Sequence, residues 1–211
     1  MEASFLFHAQ TTLLTLLLFT TTYINSCSTT KPNTAFIKKS CNTTLYPHLC
    51  YNSLSIYAYK IQKSPKRLAT TALSITISAT KSTSAAMKNL SKDQGLKPRE
   101  AIAMADCVEE LSDSVYELQR SMEEMARVRG GGGGGSSTDF EFQMSNIETW
   151  VSAALTDDDT CMEGFDGKAM NGVVKTVVRS YIVKVAHLTS NALALVNNYA
   201  ATHNKPHATS P

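Results

Sequence analysis

The carboxylates of Asp106, Glu109 and Asp113 and the phenol of Tyr116 recur at spacings of three and four, the interval that brings side chains onto one face of an α-helix. Glu110 and Glu117 extend the charge of that face. Carboxylates held in a row on a rigid helix can enter a cleft built to hold a polyanion; without such a partner the same row is an ordinary solvated acidic face. A second acidic run, Asp157-Asp158-Asp159, has the composition of a cation site. Three consecutive residues on a helix point in different directions, however, so no metal centre is expected there. His48, His187, His203 and His207 are scattered along the chain and read as surface or filler histidines rather than general bases. No G-x-S-x-G, no H-E-x-x-H and no phosphate-cradling glycine loop beside a strand occurs. These residues describe a binding protein without a catalytic set, a metal or a cofactor.

Positioning such a row requires long helices, and the apolar periodicity supplies four. In the segment 97–128, Ala101, Met104, Val108, Leu111, Val115, Leu118, Met122 and Met125 recur at three and four over about four heptads, a stripe suited to facing a bundle core. Pro98 suits its first turn, and the glycines from Gly130 end it. An earlier helix opens at Ser64-Pro65, a cap followed by a proline at the first helical position. Its stripe is small and hydroxyl-rich: Leu68, Ala72, Ile75, Ala79, Ser82 and Ala86. A third helix opens with a capping-box pattern at Thr138 and Glu141 and continues as Phe140, Met144, Ile147, Val151 and Ala154, after which the same rhythm lands on Asp158 and Cys161. A carboxylate on the stripe predicts a partnered, partly buried Asp158 or a distorted last turn. The fourth stripe is the most apolar: Val174, Val177, Tyr181, Val185, Leu188, Ala192, Leu195 and Tyr199. Four helices joined by short polar connections predict an all-α, up-down-up-down four-helix bundle over 64–201, with a flexible Gly-rich connector over 130–138.

The N-terminal segment indicates the compartment. Residues 1–28 hold an apolar stretch, Leu13 to Phe19, too short to span a membrane and suited to a signal peptide. Cleavage after Ser28 removes Cys27 and leaves about 183 of the 211 residues, enough for one domain over 29–203 before a disordered tail over 204–211. Loss of Glu2 with the leader moves the formal charge from +2 to +3, too small for an electrostatically driven nucleic-acid binder. No other apolar run has spanning length, so no membrane contact is expected after cleavage. The acceptor triplets at Asn42 and Asn89 agree with secretion and with a glycoprotein.

Four cysteines then remain, Cys41, Cys50, Cys107 and Cys161, an even number in a chain bound for an oxidising compartment. Of their three possible pairings, Cys41 with Cys50 and Cys107 with Cys161 is favoured. The first closes a local hairpin over 34–62 and the second cross-links two bundle helices, contributing ~3 and ~4 kcal/mol in the chain-entropy account.

The stretches "SCNTTLYPHLCYNSL", "DCVEELSDSVYEL", "VSAALTDDDTCMEGF" and "LTSNALALVN", in this order and with four cysteines so placed, resemble the plant invertase and pectin methylesterase inhibitor family. The resemblance covers most of the mature chain and implies the same first-with-second, third-with-fourth cysteine pairing. It further implies a secreted cell-wall protein that is not an enzyme, a bundle with an N-terminal helical hairpin, and a stoichiometric, reversible complex over the pectin cleft of a pectin methylesterase. In that family acidic contacts stand two and six positions after the third cysteine, here Glu109 and Asp113. A third, nine positions after it, is replaced by Tyr116. The threonine before the fourth cysteine is Thr160, and the acidic contact after it is Glu163. "GLKPREAIAMADCVEELSDSV" is more like the esterase-inhibitor branch, and the Pro-Lys-Phe triplet of invertase inhibitors is absent. An inhibitor of secreted acid invertase is the alternative within the family. A small-ligand carrier, using a cavity beside the small residues of the first bundle helix, is the alternative outside it.

Overall fold

A computed structural model describes residues 34–128, 137–167, 170 and 172–203. The leader with Cys27, the glycine run from Gly130 and the tail over 204–211 lie outside the described residues. The chain is all-α. Three short helices, α1 (Ala35–Cys41), α2 (Pro47–Leu54) and α3 (Ala58–Ile61), the last two joined by a 3-10 turn at Ser55–Tyr57, precede four long ones. These are α4 (Pro65–Leu90), α5 (Pro98–Arg127), α6 (Ser137–Glu163) and α7 (Val173–His203). In the bundle α4 packs on α5 and α7, and α6 packs on the same two from the other side.

The helix starts follow their local chemistry. Ser64 Oγ accepts from the Arg67 backbone N–H at 3.3 Å, with Pro65 occupying the first helical position. At α5 the Glu100 carboxylate accepts from the Lys97 backbone N–H at 2.9 Å and so caps the turn behind Pro98. At α6 the helix already includes Ser137, which places Thr138 within the first turn rather than ahead of it as a cap.

The core tests each stripe. On α6 the buried side chains are Phe140, Met144, Ile147, Val151, Ala154, Asp158 and Cys161, the positions expected. On α5 Met104, Leu111, Leu118 and Met125 are fully buried, but the positions between them are Cys107, Ser114 and Ser121. Val108, Val115 and Met122 are only half-buried, and Ala101 is exposed. Serine can occupy a core seam because its hydroxyl finds acceptors there: Ser114 Oγ donates to Asp158, and Ser121 Oγ to the Glu117 carbonyl.

The same physics shifts the seam of α4. Its buried line runs through Leu68, Ala69, Ala72, Leu73, Thr76, Thr80, Thr83 and Met87, while Ile75 and Ala79 are half-buried and Ser82 is exposed. Thr76 and Thr80 donate to carbonyls four residues back at 2.9 Å, which satisfies the hydroxyls and leaves the methyls to pack. On α7, Val178 and Ile182 are buried in place of the expected Val177 and Tyr181. The run Val173 to Val185 is apolar at so many positions that it offers two adjacent stripes, and Tyr181 takes the wetter one, 43% exposed, where its hydroxyl reaches water.

The N-terminal helices dock on α7 rather than standing apart. Asn191, 3% exposed, brackets the Tyr46 backbone, accepting from its N–H at 3.1 Å and donating to its carbonyl at 3.0 Å. The Tyr46 ring stacks on His187 with centroids 3.5 Å apart. The disulfide Cys41–Cys50 spans 5.5 Å between Cα atoms and is buried in the core cluster that holds Ile37, Leu54, Ile61 and Leu68. The staple therefore shapes a loop and fills core space at once.

Candidate functional site: the acidic ridge of α5 and α6

Two cross-links set the register of α5 against α6. The disulfide Cys107–Cys161 holds Cα atoms 4.3 Å apart and joins the turn carrying Glu109 to the turn carrying Thr160 and Glu163. Two turns further along α5, Ser114 Oγ donates to Asp158 Oδ1 at 2.9 Å, and Thr189 of α7 donates to Oδ2 at 2.7 Å. Asp158 is 0% exposed, so of the two expected outcomes the fully partnered carboxylate is the one realised. Burial pushes its pKa up to about 7; the two hydroxyl bonds oppose that rise, and the charges of Asp157 and Asp159 reinforce it.

Above this buried layer, Glu109, Asp113, Tyr116, Thr160 and Glu163 are all exposed, Tyr116 by 55%. Thr160 Oγ1 spends its proton on the Thr156 carbonyl at 2.8 Å, leaving its oxygen free to accept. Glu109, Asp113 and Glu163 form no ion pair with any described residue. Instead the charges of Glu109 and Asp113 are felt by neighbours. Glu110 is raised by partial burial and then by Asp113, Glu109 and Asp106.

Asp157 completes the ridge, and the acidic pattern of 106–117 does not reveal it. It sits half-buried on α6, and its pKa rises to about 6 through burial and then the charges of Glu110, Asp113 and Glu117 across on α5. Asp157 Oδ2 and Glu117 Oε2 are buried oxygens without a hydrogen-bond partner. Only the inter-helix register brings them together, so a scan of either helix alone misses the pair. Among the described residues no three His, Cys, Asp or Glu side chains converge as a metal site. The space beside α4 is an open groove of about 690 Å³ between the N-terminal helices, α4 and α7, lined by Ile56, Ser78, Ser82 and Tyr181 among others. It lies on the surface of the bundle, not within it.

The profile of the plant invertase/pectin methylesterase inhibitor family matches residues 35–195, which include all four disulfide cysteines and the whole ridge. The chain belongs to this family. The family is one of inhibitors and its model covers most of this chain, which is accordingly not an enzyme. It is 49% identical over 180 residues to the 21 kDa protein of Daucus carota, covering 85% of this chain and 91% of that one. It is 45% identical over 195 residues to pectinesterase inhibitor 9 of Arabidopsis thaliana, covering 90% and 94%. A crystal structure of a mutant form of a pectin methylesterase inhibitor from Arabidopsis superposes with a TM-score of 0.61 at 24% identity, covering 76% of this chain and 95% of that one, which establishes the shared fold.

Proposed function

We propose that this chain inhibits pectin methylesterase by laying the α5–α6 ridge over the enzyme's pectin cleft in a reversible one-to-one complex. The observation that carries the reading is a rigid row of carboxylates left without countercharge: Glu109, Asp113 and, beyond the disulfide, Glu163 pair with no described cation, and Glu109 and Asp113 raise Glu110 while Asp113 also raises Asp157. Uncompensated like charge disfavours the folded state, and a cleft lined for acidic sugars supplies the positive field that offsets it. Pectinesterase inhibitors among the relatives support the same target. Glu109, Asp113, Tyr116, Thr160 and Glu163 are the contacts proposed, with the disulfide Cys107–Cys161 fixing one part of the surface against the other.

The same reading puts the protein outside the cell, in the wall. The leader-type segment over 1–28 directs export, and two disulfides suit an oxidising compartment. Asn42 and Asn89 are exposed and available to carry glycan. Seating over the cleft makes inhibition competitive: the apparent inhibition constant should rise linearly with pectin concentration from its value without pectin. An inhibition constant independent of pectin would place the complex elsewhere on the enzyme.

A further inference from the structure

The exposed face that bears Glu109, Asp113 and Tyr116 continues one turn further to Arg120, and there its chemistry changes. Arg120 lies over the ring of Trp150 on α6, 4.5 Å from its centroid, and 5.7 Å from that of Tyr116, whose hydroxyl accepts from Arg120 Nη1 at 3.1 Å. Around them is an open pocket of about 310 Å³ completed by Gln119, Glu123 and Arg127. Arg127 is tied to Glu124 at 2.9 Å, whereas Arg120 forms no ion pair with any described residue. Tyr116 belongs both to the acidic ridge and to this pocket, so the two surfaces are continuous.

We propose that Tyr116, Arg120 and Trp150 form the anchoring centre of the surface that holds the esterase, an inference that rests on the inhibitory reading above. Tyrosine, tryptophan and arginine are the side chains that carry most energy at protein interfaces. Here they are ordered in advance, because stacking on Trp150 and the bond to Tyr116 hold the guanidinium in place and reduce the rotamer freedom lost on binding. The remaining N–H groups form a fork suited to a carboxylate. Eleven residues at 1.5 Å each set Arg120 roughly 16 Å along α5 from Glu109. The partner surface that fits is therefore bipolar, with a basic cleft wall under the acidic ridge and a carboxylate-bearing edge about that distance away. Tyr116 makes this end of the ridge aromatic.

The test is the dissociation rate of the esterase complex formed by the oxidised mature chain and by Arg120→Ala, Arg120→Lys and Trp150→Phe, with helicity and melting temperature checked for each. Arg120→Ala is expected to speed dissociation about tenfold or more, and Arg120→Lys to restore only part of it because an ammonium lacks the fork. Trp150→Phe, which keeps a ring at a half-buried position, should fall between. If the arginine variants and Trp150→Phe all stay within about twofold of the parent while Glu109→Ala/Asp113→Ala weakens inhibition, the anchor is overturned and the inhibitory reading stands. A parent chain that does not inhibit the esterase overturns both. Because Trp150 is the chain's only tryptophan, its emission also reports on the pocket directly. Quenching by trigalacturonate, with dissociation of the esterase unchanged by the variants, would assign the pocket to the sugar and overturn the anchor.

Discussion

Replacing Glu109 and Asp113 together by alanine is expected to weaken esterase inhibition by about a hundredfold, since losing two desolvated charged contacts costs on the order of 3 kcal/mol. The free protein should not suffer. Both side chains are exposed and unpaired, and Asp113 is one of the charges that raise Glu110 and Asp157. Removing it relieves repulsion, so the variant should unfold at the same denaturant concentration as the parent or a slightly higher one. Inhibition curves and urea unfolding of the same preparation decide the matter. A variant that still inhibits fully shows that the ridge is a solvated acidic face and that the complex forms elsewhere.

The second large effect lies beneath the ridge, at Asp158. Its folded pKa of about 7 stands above the ~3.9 of an unfolded aspartate. Between these values the folded chain holds more protons than the unfolded one, so stability falls as pH rises. The contribution is fully present below about pH 4 and is lost as pH passes through about 7. A difference of that size between the folded and unfolded carboxyl is worth ~4 kcal/mol. Asp157, with a pKa of about 6, acts in the same direction from a less buried position. Asp158→Asn keeps an oxygen for the Ser114 or Thr189 hydroxyl and carries no charge. It should flatten most of the pH dependence of the urea midpoint between pH 4 and 8, with Asp157 supplying what slope remains. Asp158→Ala removes both acceptors and should cost ~1–3 kcal/mol at pH 4 by orphaning the Ser114 hydroxyl. Thr189 suffers less because it also donates to the Val185 carbonyl. Parallel midpoint curves for the parent and Asp158→Asn would contradict this account of the buried layer.

How much of the fold and the ridge is legible in the sequence depends on whether the signal is local. The α6 stripe from Phe140 to Cys161 follows a single periodic rule, so it places Asp158 on the core face and requires either a partner or a distorted last turn there. That partner is a pair of hydroxyls on two other helices, and no spacing within α6 names Ser114 or Thr189. On α4 and α5 the pattern misplaces the seam: it puts Ser82, which is exposed, on the α4 stripe and passes over Thr76, Thr80 and Ser121, whose back-bonding to the helix's own carbonyls lets them enter the core. On α7 an excess of apolar residues leaves two stripes to choose between, and the phenol of Tyr181 decides for the wetter one. The acidic face of α5 is visible from its spacing, but Asp157 joins it only through the register. Trp150, thirty residues from Arg120 in sequence, carries no local mark at all. Asn191 is a similar case, since its role is to hold a backbone 145 residues away.

The central claim is that an unpaired acidic ridge on a disulfide-locked helix pair stops pectin methylesterase. It is tested most directly by titrating the oxidised mature protein, beginning at Thr29, into a plant pectin methylesterase between pH 5 and 7, with a secreted acid invertase assayed in parallel. Esterase activity is expected to fall with an equivalence point at one inhibitor per enzyme, while the invertase does not respond. Loss of invertase activity with the esterase untouched would contradict the claim and move the chain to the other branch of its family.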